Sequence, residues 1–305
     1  MSTPHLNLLA KRRFGPMFVV QFLGAFNDNL LKFAMLFLAN FGLFAAQPDK
    51  AEQLAAIATG LFILPYFLFS AAAGQIADSI DKSRLIRWIK LAEVAIMALA
   101  LVGFWYQLIP ILLGCLFLMG IHSTLFGPVK YSILPQHLRE GEIMGGTGLI
   151  EGGTFLAILG GQLLAGAIPA WQAGAAALCI AALGLVASMA IPAAPPVAAP
   201  STAGNRAAGW GMFRGTWAIV GAARHGRGVW LAILGISWFF AAGAVLMSEF
   251  APLVSGALAA KQEVATLFLI IFSLAIAAGA MLVNALLRGD VSARYVPVSA
   301  LVLAG

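Results

Sequence analysis

Eight continuous apolar runs, each about long enough to cross a membrane as a helix, constrain what this chain can fold into. A transmembrane helix needs about 20 apolar residues, and such runs lie at roughly 14–45, 53–77, 85–106, 108–128, 143–168, 171–191, 228–251 and 264–287. Hydrophobic residues make up 61% of the chain and charged residues only 10%, against about 45–50% and about 25% in soluble domains. The sequence therefore predicts an all-α membrane protein with eight full spans.

A ninth apolar run begins at Tyr295 and stops at Gly305. At 1.5 Å rise per residue it is too short to span a bilayer. We therefore expect the sequence to be a fragment that ends inside its ninth span.

The basic residues are distributed unevenly between the loops. If the N-terminus is cytoplasmic, 15 of the 18 Lys and Arg residues fall in cytoplasmic segments, and only Lys50 and Lys261 fall in outer loops. Because basic loops stay on the cytoplasmic side, the sequence predicts a multi-pass protein with a cytoplasmic N-terminus. The basic residues are spread over five loops, so the net charge of +6 does not indicate nucleic-acid binding.

The composition changes between the sixth and seventh runs. The stretch IPAAPPVAAPSTAGNRAAG is typical of a flexible linker. Its later part carries apolar residues at helical spacing, which predicts either a short interfacial helix or a partly ordered loop: Trp210, Phe213, Trp217 and Val220. The predicted units are an N-terminal six-helix bundle at 1–192, a cytoplasmic linker with this interfacial helix at 193–227, and a partial C-terminal bundle at 228–305.

The loop after the second run, GQIADSIDKSR, resembles a signature of the major facilitator superfamily: a glycine, an aspartate four residues on, and then basic residues. The matching positions are Gly74, Asp78, Lys82 and Arg84, while Asp81 stands where the superfamily usually has glycine. Six spans, a linker and a second half are also the superfamily's plan. The resemblance implies a helical bundle of twelve spans, truncated here in the ninth, and a cytoplasmic gate at the four matching residues, with Gly74 allowing close helix approach.

Longer stretches resemble the bacterial lysophospholipid transporter (LplT) family: QFLGAFNDNLLKFA, LFGPVKYSILPQHL, EGGTFLAILGG, ISWFFAAGAVLMSEFAP and GDVSARYVP. This resemblance implies a carrier in the bacterial inner membrane that moves lysophospholipids, such as lysophosphatidylethanolamine, to the cytoplasmic leaflet for reacylation. It implies a functional partner, an acyltransferase/acyl-carrier-protein synthetase, which is fused to the transporter in some relatives. We expect the chain itself to be no enzyme, to use no cofactor or metal, and to bind no nucleic acid.

Polar residues inside the first run mark a candidate substrate site, because an ionisable group at the centre of a span costs about 2.5–3.5 kcal/mol. Gln21, Asp28 and Lys32 differ by seven and four positions, so they share one helix face, and Asn27 and Asn29 broaden it. We expect this face to line a cavity in which Lys32 meets the lipid phosphate and Asp28 meets an amine or a coupling cation. The alternative is an i, i+4 ion pair between Asp28 and Lys32 that neutralises itself.

The fifth run separates into two faces. Three polar residues share one side and are predicted to face the cavity: Glu151, Thr154 and Gln162. Small residues at every fourth position form a stripe on another side, which predicts close helix packing: Gly153, Ala157, Gly161 and Ala165.

Four further polar residues lie near span ends. Lys130 and Tyr131 follow a helix break predicted at Gly127 and Pro128 and either anchor the span or contact a lipid phosphate. Glu249 closes the seventh run near the outer face and is a further candidate for substrate or coupling-ion binding. Glu93 is interpreted as a partner of Lys90 or Arg87 at the inner surface. For Glu249 and Glu93 a solvated position is an open alternative.

Two other functions were weighed against lysophospholipid transport. The first is a proton-driven small-molecule or drug exporter, which is weakened because the fourth run has no arginine and the fifth has no Gly-Pro pair. The second is the membrane portion of a bifunctional phospholipid acyltransferase. Its only support is His137, which has Glu142 five positions on, and we interpret that spacing as chance.

Overall fold

The protein is predominantly helical in the part of the chain that the structure, a computed structural model, describes: residues 6–44, 46–196, 220–221, 223–252, 258, 262–287, 292 and 294–304. No strand occurs within these residues. Five of the described helices are long and apolar enough to cross a membrane, at Asp49–Ser79, Ile109–His137, Glu140–Ala167, Ala170–Met189 and Ile270–Leu287. The predicted all-α membrane protein is therefore confirmed.

A helix lies over each of the eight predicted runs, and a shorter helix lies over the ninth. The helices in chain order are α1 (Gly15–Leu38), α2 (Pro48–Ser79), α3 (Lys82–Trp105), α4 (Ile109–Ser132), α5 (Leu134–His137), α6 (Glu140–Ala167), α7 (Ala170–Met189), α8 (Arg227–Pro252), α9 (Gln262–Leu287) and α10 (Val296–Ala304). The number of full spans stays a prediction. So does the division into three units, because most of the predicted linker and its interfacial helix lie outside the described residues.

The helix break predicted at Gly127 and Pro128 is wrong, because α4 continues through both residues to Ser132. Likewise, α2 continues through Pro65. Proline removes one backbone N–H from the helical ladder. Transmembrane helices tolerate that loss when neighbouring groups satisfy the freed carbonyl.

Helix α1 is the central helix of the first seven. It packs along α6 and α7 and also contacts α4, while α3 packs against α7 and α4, and α2 packs against α4. The predicted stripe of small residues on α6 faces α1: a Cβ atom on Gly161 would lie only 2.5 Å from the backbone oxygen of Phe26. The stripe therefore permits close backbone contact, as expected. On its other side α6 packs against α9.

One end of this bundle carries Lys11, Arg13, Lys82 and Arg84 and is called the basic end here. Asp81 caps α3 at this end: its Oδ1 accepts hydrogen bonds from the Arg84 N–H (3.0 Å) and the Ser83 hydroxyl (2.6 Å). Its Oδ2 accepts one from the Ala194 N–H (3.2 Å), which fixes the chain after α7 against α3. Burial alone would raise the pKa of Asp81, but these hydrogen bonds together lower it below its ordinary value.

Candidate substrate site

Asp28 lies near the middle of α1 and faces α4. Its Oδ2 accepts a hydrogen bond of 2.8 Å from the hydroxyl of Ser123. Its Oδ1 is inaccessible to solvent and has no hydrogen-bond partner within the described part of the chain. A buried carboxylate oxygen without a donor is costly, so this atom marks a place where a ligand would gain free energy by donating a hydrogen bond.

Lys32 lies one turn further along α1 and is half-buried. Its ammonium lies 5.9 Å from the centre of the Phe33 ring. The i, i+4 ion pair with Asp28 is not formed: the ion pairs within the described residues join other side chains. An acidic and a basic side chain therefore lie one turn apart on α1 with no ion pair between them.

A second set of polar side chains is completely enclosed behind Asp28 and is called the buried cluster here: Asn27, Lys90, Glu93 and His122, each at most 5% exposed. Glu93 Oε2 lies 2.5 Å from Lys90 Nζ and 3.2 Å from His122 Nε2. Its Oε1 accepts a hydrogen bond of 2.9 Å from Asn27, which also donates to the Ala177 carbonyl at 3.1 Å. The expected pairing of Glu93 with Lys90 is confirmed, but the solvated alternative is wrong.

The buried cluster and the Asp28 site are joined through adjacent residues on two helices. Asn27 and Asp28 are neighbours on α1, and His122 and Ser123 are neighbours on α4. In each pair the first residue contacts Glu93 and the second belongs to the Asp28–Ser123 hydrogen bond. Glu93 lies eleven residues into α3, about 16 Å from the basic end, which is about half the thickness of a bilayer core.

The remaining polar residues of α1 contact other partners than Asp28 does. Gln21 donates to the Ile150 carbonyl (3.2 Å) and accepts from the Thr154 hydroxyl (2.9 Å), so it faces α6. Asn29 donates to the Ala25 carbonyl within α1 at 2.9 Å and does not broaden the polar face as expected. The structure thus brings Gln21 and Thr154 together, but not with Asp28.

Three predicted residues meet nearer the basic end, between α4 and α6. The hydroxyl of Tyr131 donates to Glu151, and the ammonium of Lys130 lies 3.9 Å from the same carboxylate and 4.6 Å from the centre of the Tyr131 ring. Gln162 lies half-buried further along α6. Glu249 lies on α8, but its side chain falls outside the described part of the structure.

The predicted gate residues are arranged differently from expectation. Among the described residues nothing lies within 4 Å of a Cβ atom on Gly74, so the close helix approach expected there is not seen within this part of the chain. Asp78 and Arg84 are exposed, while Lys82 is buried and its ammonium has no hydrogen-bond partner among the described residues. Asp81, the departure from the superfamily pattern, is the acidic residue that binds the start of α3.

Sequence reasoning assigned no role at the site to Lys90, His122 or Ser123. A signal was present: Lys90 and Glu93 are spaced i, i+3 on a helix, and His122 is an ionisable residue in the middle of an apolar span. Which helix lies opposite them could not be read from either stretch. Among the described residues, no group of three or more His, Cys, Asp or Glu side chains could hold a metal ion.

No protein-family model matches the chain. Several curated proteins are similar to it, and each bears the name "Lysophospholipid transporter LplT". The protein of Pectobacterium carotovorum subsp. carotovorum (strain PC1) is 29% identical over 191 residues, which cover 60% of this chain and 43% of the relative. That of Escherichia coli (strain SE11) is 32% identical over 180 residues, covering 57% and 42%.

The protein of Serratia proteamaculans (strain 568) is 29% identical over 248 residues, which cover 78% of this chain and 56% of the relative. The chain thus spans about half the length of the curated relatives it matches. These similarities confirm the resemblance to the lysophospholipid transporter family.

Proposed function

We propose that the protein is a carrier that moves lysophospholipids across the bacterial inner membrane to the cytoplasmic leaflet. The observation that carries the proposal is the pair of unneutralised charges on α1: the Asp28 carboxylate with a free, buried oxygen, and the half-buried Lys32 ammonium one turn away. A phosphoethanolamine headgroup has the complementary charges, an ammonium and a phosphate. The names of the similar proteins support the same substrate class.

In this proposal the ammonium of the headgroup binds Asp28 and the phosphate binds Lys32. Each headgroup charge would then provide the ion-pair partner that the protein itself does not supply. Such pairing is the condition under which burying charges gives a net gain in free energy. Lys130, Tyr131 and Glu151 would form a second polar station nearer the basic end. Gln21 and Thr154 join α1 to α6 by a hydrogen bond. In this proposal they hold the two helices in position and do not bind the lipid.

The superfamily plan and the orientation belong to the same proposal. The packing of α9 against α6 supports contact between a first and a second half of a facilitator-type bundle, and the basic end, with the gate at Gly74, Asp78, Lys82 and Arg84, would face the cytoplasm. A lysophospholipid delivered there is a substrate for acylation. An acyltransferase, separate or fused, is therefore the proposed functional partner, and catalysis is assigned to it.

The test is uptake of labelled lysophosphatidylethanolamine by spheroplasts that express the protein. Asp28→Asn and Lys32→Met should each reduce the initial rate by about fivefold to more than a hundredfold at equal membrane levels, because each leaves one headgroup charge buried without a partner, at a cost of about 1–3 kcal/mol or more. The matched control is Asp49→Asn, an exposed acid at the start of α2, which should transport normally.

A charge-swapped double variant, Asp28→Lys with Lys32→Asp, separates the two interpretations of these residues. A self-neutralising ion pair would survive the swap and transport would recover. If the two residues bind the headgroup, transport would not recover, because the lysine would then meet the ammonium and the aspartate would meet the phosphate. Normal uptake by Asp28→Asn and Lys32→Met, or recovery in the swapped variant, would refute the proposed site.

A further inference from the structure

We infer that Asp28 carries a proton when no lipid is bound and releases it to water when the ammonium of a headgroup binds, so that lipid binding is exchanged against a proton. The inference rests on the proposed function, because it takes Asp28 as the ammonium site. It adds a second ligand, the proton, and an origin for pH dependence of transport.

The first observation is the division of charge behind Asp28. Within the buried cluster, Lys90 and Glu93 neutralise each other at 2.5 Å, Asn27 donates to Glu93 Oε1 at 2.9 Å, and His122 Nε2 lies 3.2 Å from Glu93 Oε2. Asp28, in contrast, receives a single neutral hydrogen bond from Ser123. Its charge has no cationic partner within ion-pair distance among the described residues.

An isolated carboxylate in an enclosed, low-dielectric position is the arrangement that favours proton uptake over ionisation. A cation at the free Oδ1 reverses the balance, because it pairs the carboxylate directly. The two occupants therefore exclude each other: the proton leaves the carboxyl group for water, and the ammonium takes its place. At Asp28 one positive charge leaves as one arrives, and the phosphate that enters with the ammonium is paired by Lys32.

The second observation is that the charges around Asp28 can be assigned helix by helix. The titratable or charged groups that act on it are Lys90 and Glu93 on α3 and Tyr66 on α2. His122 on α4 lies beside its partner Ser123, and Lys32 lies one turn away on its own helix. On α7 the facing group is the Ala177 carbonyl. On α6 the acidic group is Glu151, which Tyr131 and Lys130 already engage. The Lys90–Glu93 pair is therefore the charge pair that tunes Asp28.

This arrangement gives opposite expectations for the two halves of the pair. Glu93→Gln leaves the Lys90 ammonium uncompensated near Asp28, which favours the carboxylate and moves proton release to lower pH. Lys90→Met leaves the Glu93 carboxylate uncompensated, which favours the protonated acid and moves release to higher pH. A role of the pair in packing alone predicts no such opposition.

The experiment is titration calorimetry of the protein in nanodiscs with lysophosphatidylethanolamine at pH 5–8, in buffers of different ionisation enthalpy that report the protons released. The ammonium of this lipid stays charged between pH 5 and pH 8. We expect release approaching one proton per lipid on the acidic side and an affinity that rises by up to about tenfold per pH unit. Lysophosphatidylglycerol, which has no ammonium, should release none.

Glu93→Gln and Lys90→Met should move the midpoint of this pH dependence in opposite directions, and the exposed Glu140→Gln should not move it. Lipid binding without proton release, or with an affinity independent of pH, would overturn the exchange and leave the proposed function intact. Failure of lysophosphatidylethanolamine to bind at any pH would refute the proposed function and the exchange with it. The proton count on the unmodified protein decides the matter even if a variant does not fold.

Discussion

The contact between α1 and α6 leads to a prediction whose size can be worked from the structure. A Cβ atom added at Gly161 would lie 2.5 Å from the Phe26 carbonyl oxygen and 3.0 Å from the Leu30 nitrogen. Backbone atoms cannot rotate away, so the two helices must separate. Overpacking of this kind costs about 1–3 kcal/mol, whereas removing a glycine from a helix returns about 0.5–1 kcal/mol.

Gly74→Ala is the matched control, because none of the described residues lies within 4 Å of its added Cβ atom. The helix-propensity gain is common to both variants and cancels when they are compared. Gly161→Ala should therefore be less stable than Gly74→Ala by about 1–3 kcal/mol.

Thiol labelling on heating provides the assay, because Cys115 is buried and Cys179 is exposed. In a Cys179→Ser background, a thiol-reactive fluorophore reports exposure of Cys115 as the bundle unfolds. At about 2–4 °C per kcal/mol, the labelling midpoint of Gly161→Ala should lie roughly 2–12 °C below that of Gly74→Ala. Equal midpoints would show that α1 and α6 are not packed this closely.

Two further predictions concern the basic end and are checked by the loss of helical circular dichroism on heating, because the thiolate that a labelling reagent needs is absent at low pH. Asp81→Ala should lower stability by about 0.5–2 kcal/mol through loss of the cap. Because the pKa of Asp81 in the folded protein is lowered, its contribution to stability is present above about pH 4 and is lost as the pH falls through that lowered value. The stability deficit of Asp81→Ala relative to the unmodified protein should therefore shrink at pH 3. Tyr131→Phe removes the hydrogen bond to Glu151 and should cost up to about 3 kcal/mol, whereas Tyr106→Phe, at an exposed tyrosine, should be neutral.

The positions of the helices could be predicted because the bilayer fixes both the length and the apolar character of a span. The residues at which helices end are fixed less strictly by the bilayer. The expected break at Pro128 rests on a rule for isolated helices, in which a lost N–H and a steric clash are decisive. In the bundle, α4 continues past it, because packing against α2 and α3 stabilises the helix beyond its local preference.

The shared face of Gln21, Asp28 and Lys32 was predicted from angular spacing alone. Gln21 and Asp28 are seven positions apart, which is about 10 Å along the helix axis. Over that distance the helix that neighbours this face changes from α6 to α4. Helical periodicity gives a direction but not the neighbour in that direction. For this reason Asn27, about 100° away from Asp28, reaches Glu93 on α3 rather than extending the same face.

Stability alone does not account for the charges in this bundle. Replacing a buried ion pair by apolar residues of similar volume is often neutral or stabilising, so the Lys90–Glu93 pair need not be there to hold α3 in place. Asp28 and Lys32 are harder still to explain by stability, because mutual pairing would relieve both, yet Asp28 is bonded to Ser123. A protein that keeps an acidic and a basic side chain one turn apart and unpaired gains nothing from them until a molecule with both headgroup charges arrives. The same reasoning explains why the tuning pair lies behind Asp28 and not behind Lys32: a carboxylate can wait in neutral form by holding a proton from water, and a nearby pair of fixed charges sets the pH at which it gives that proton up.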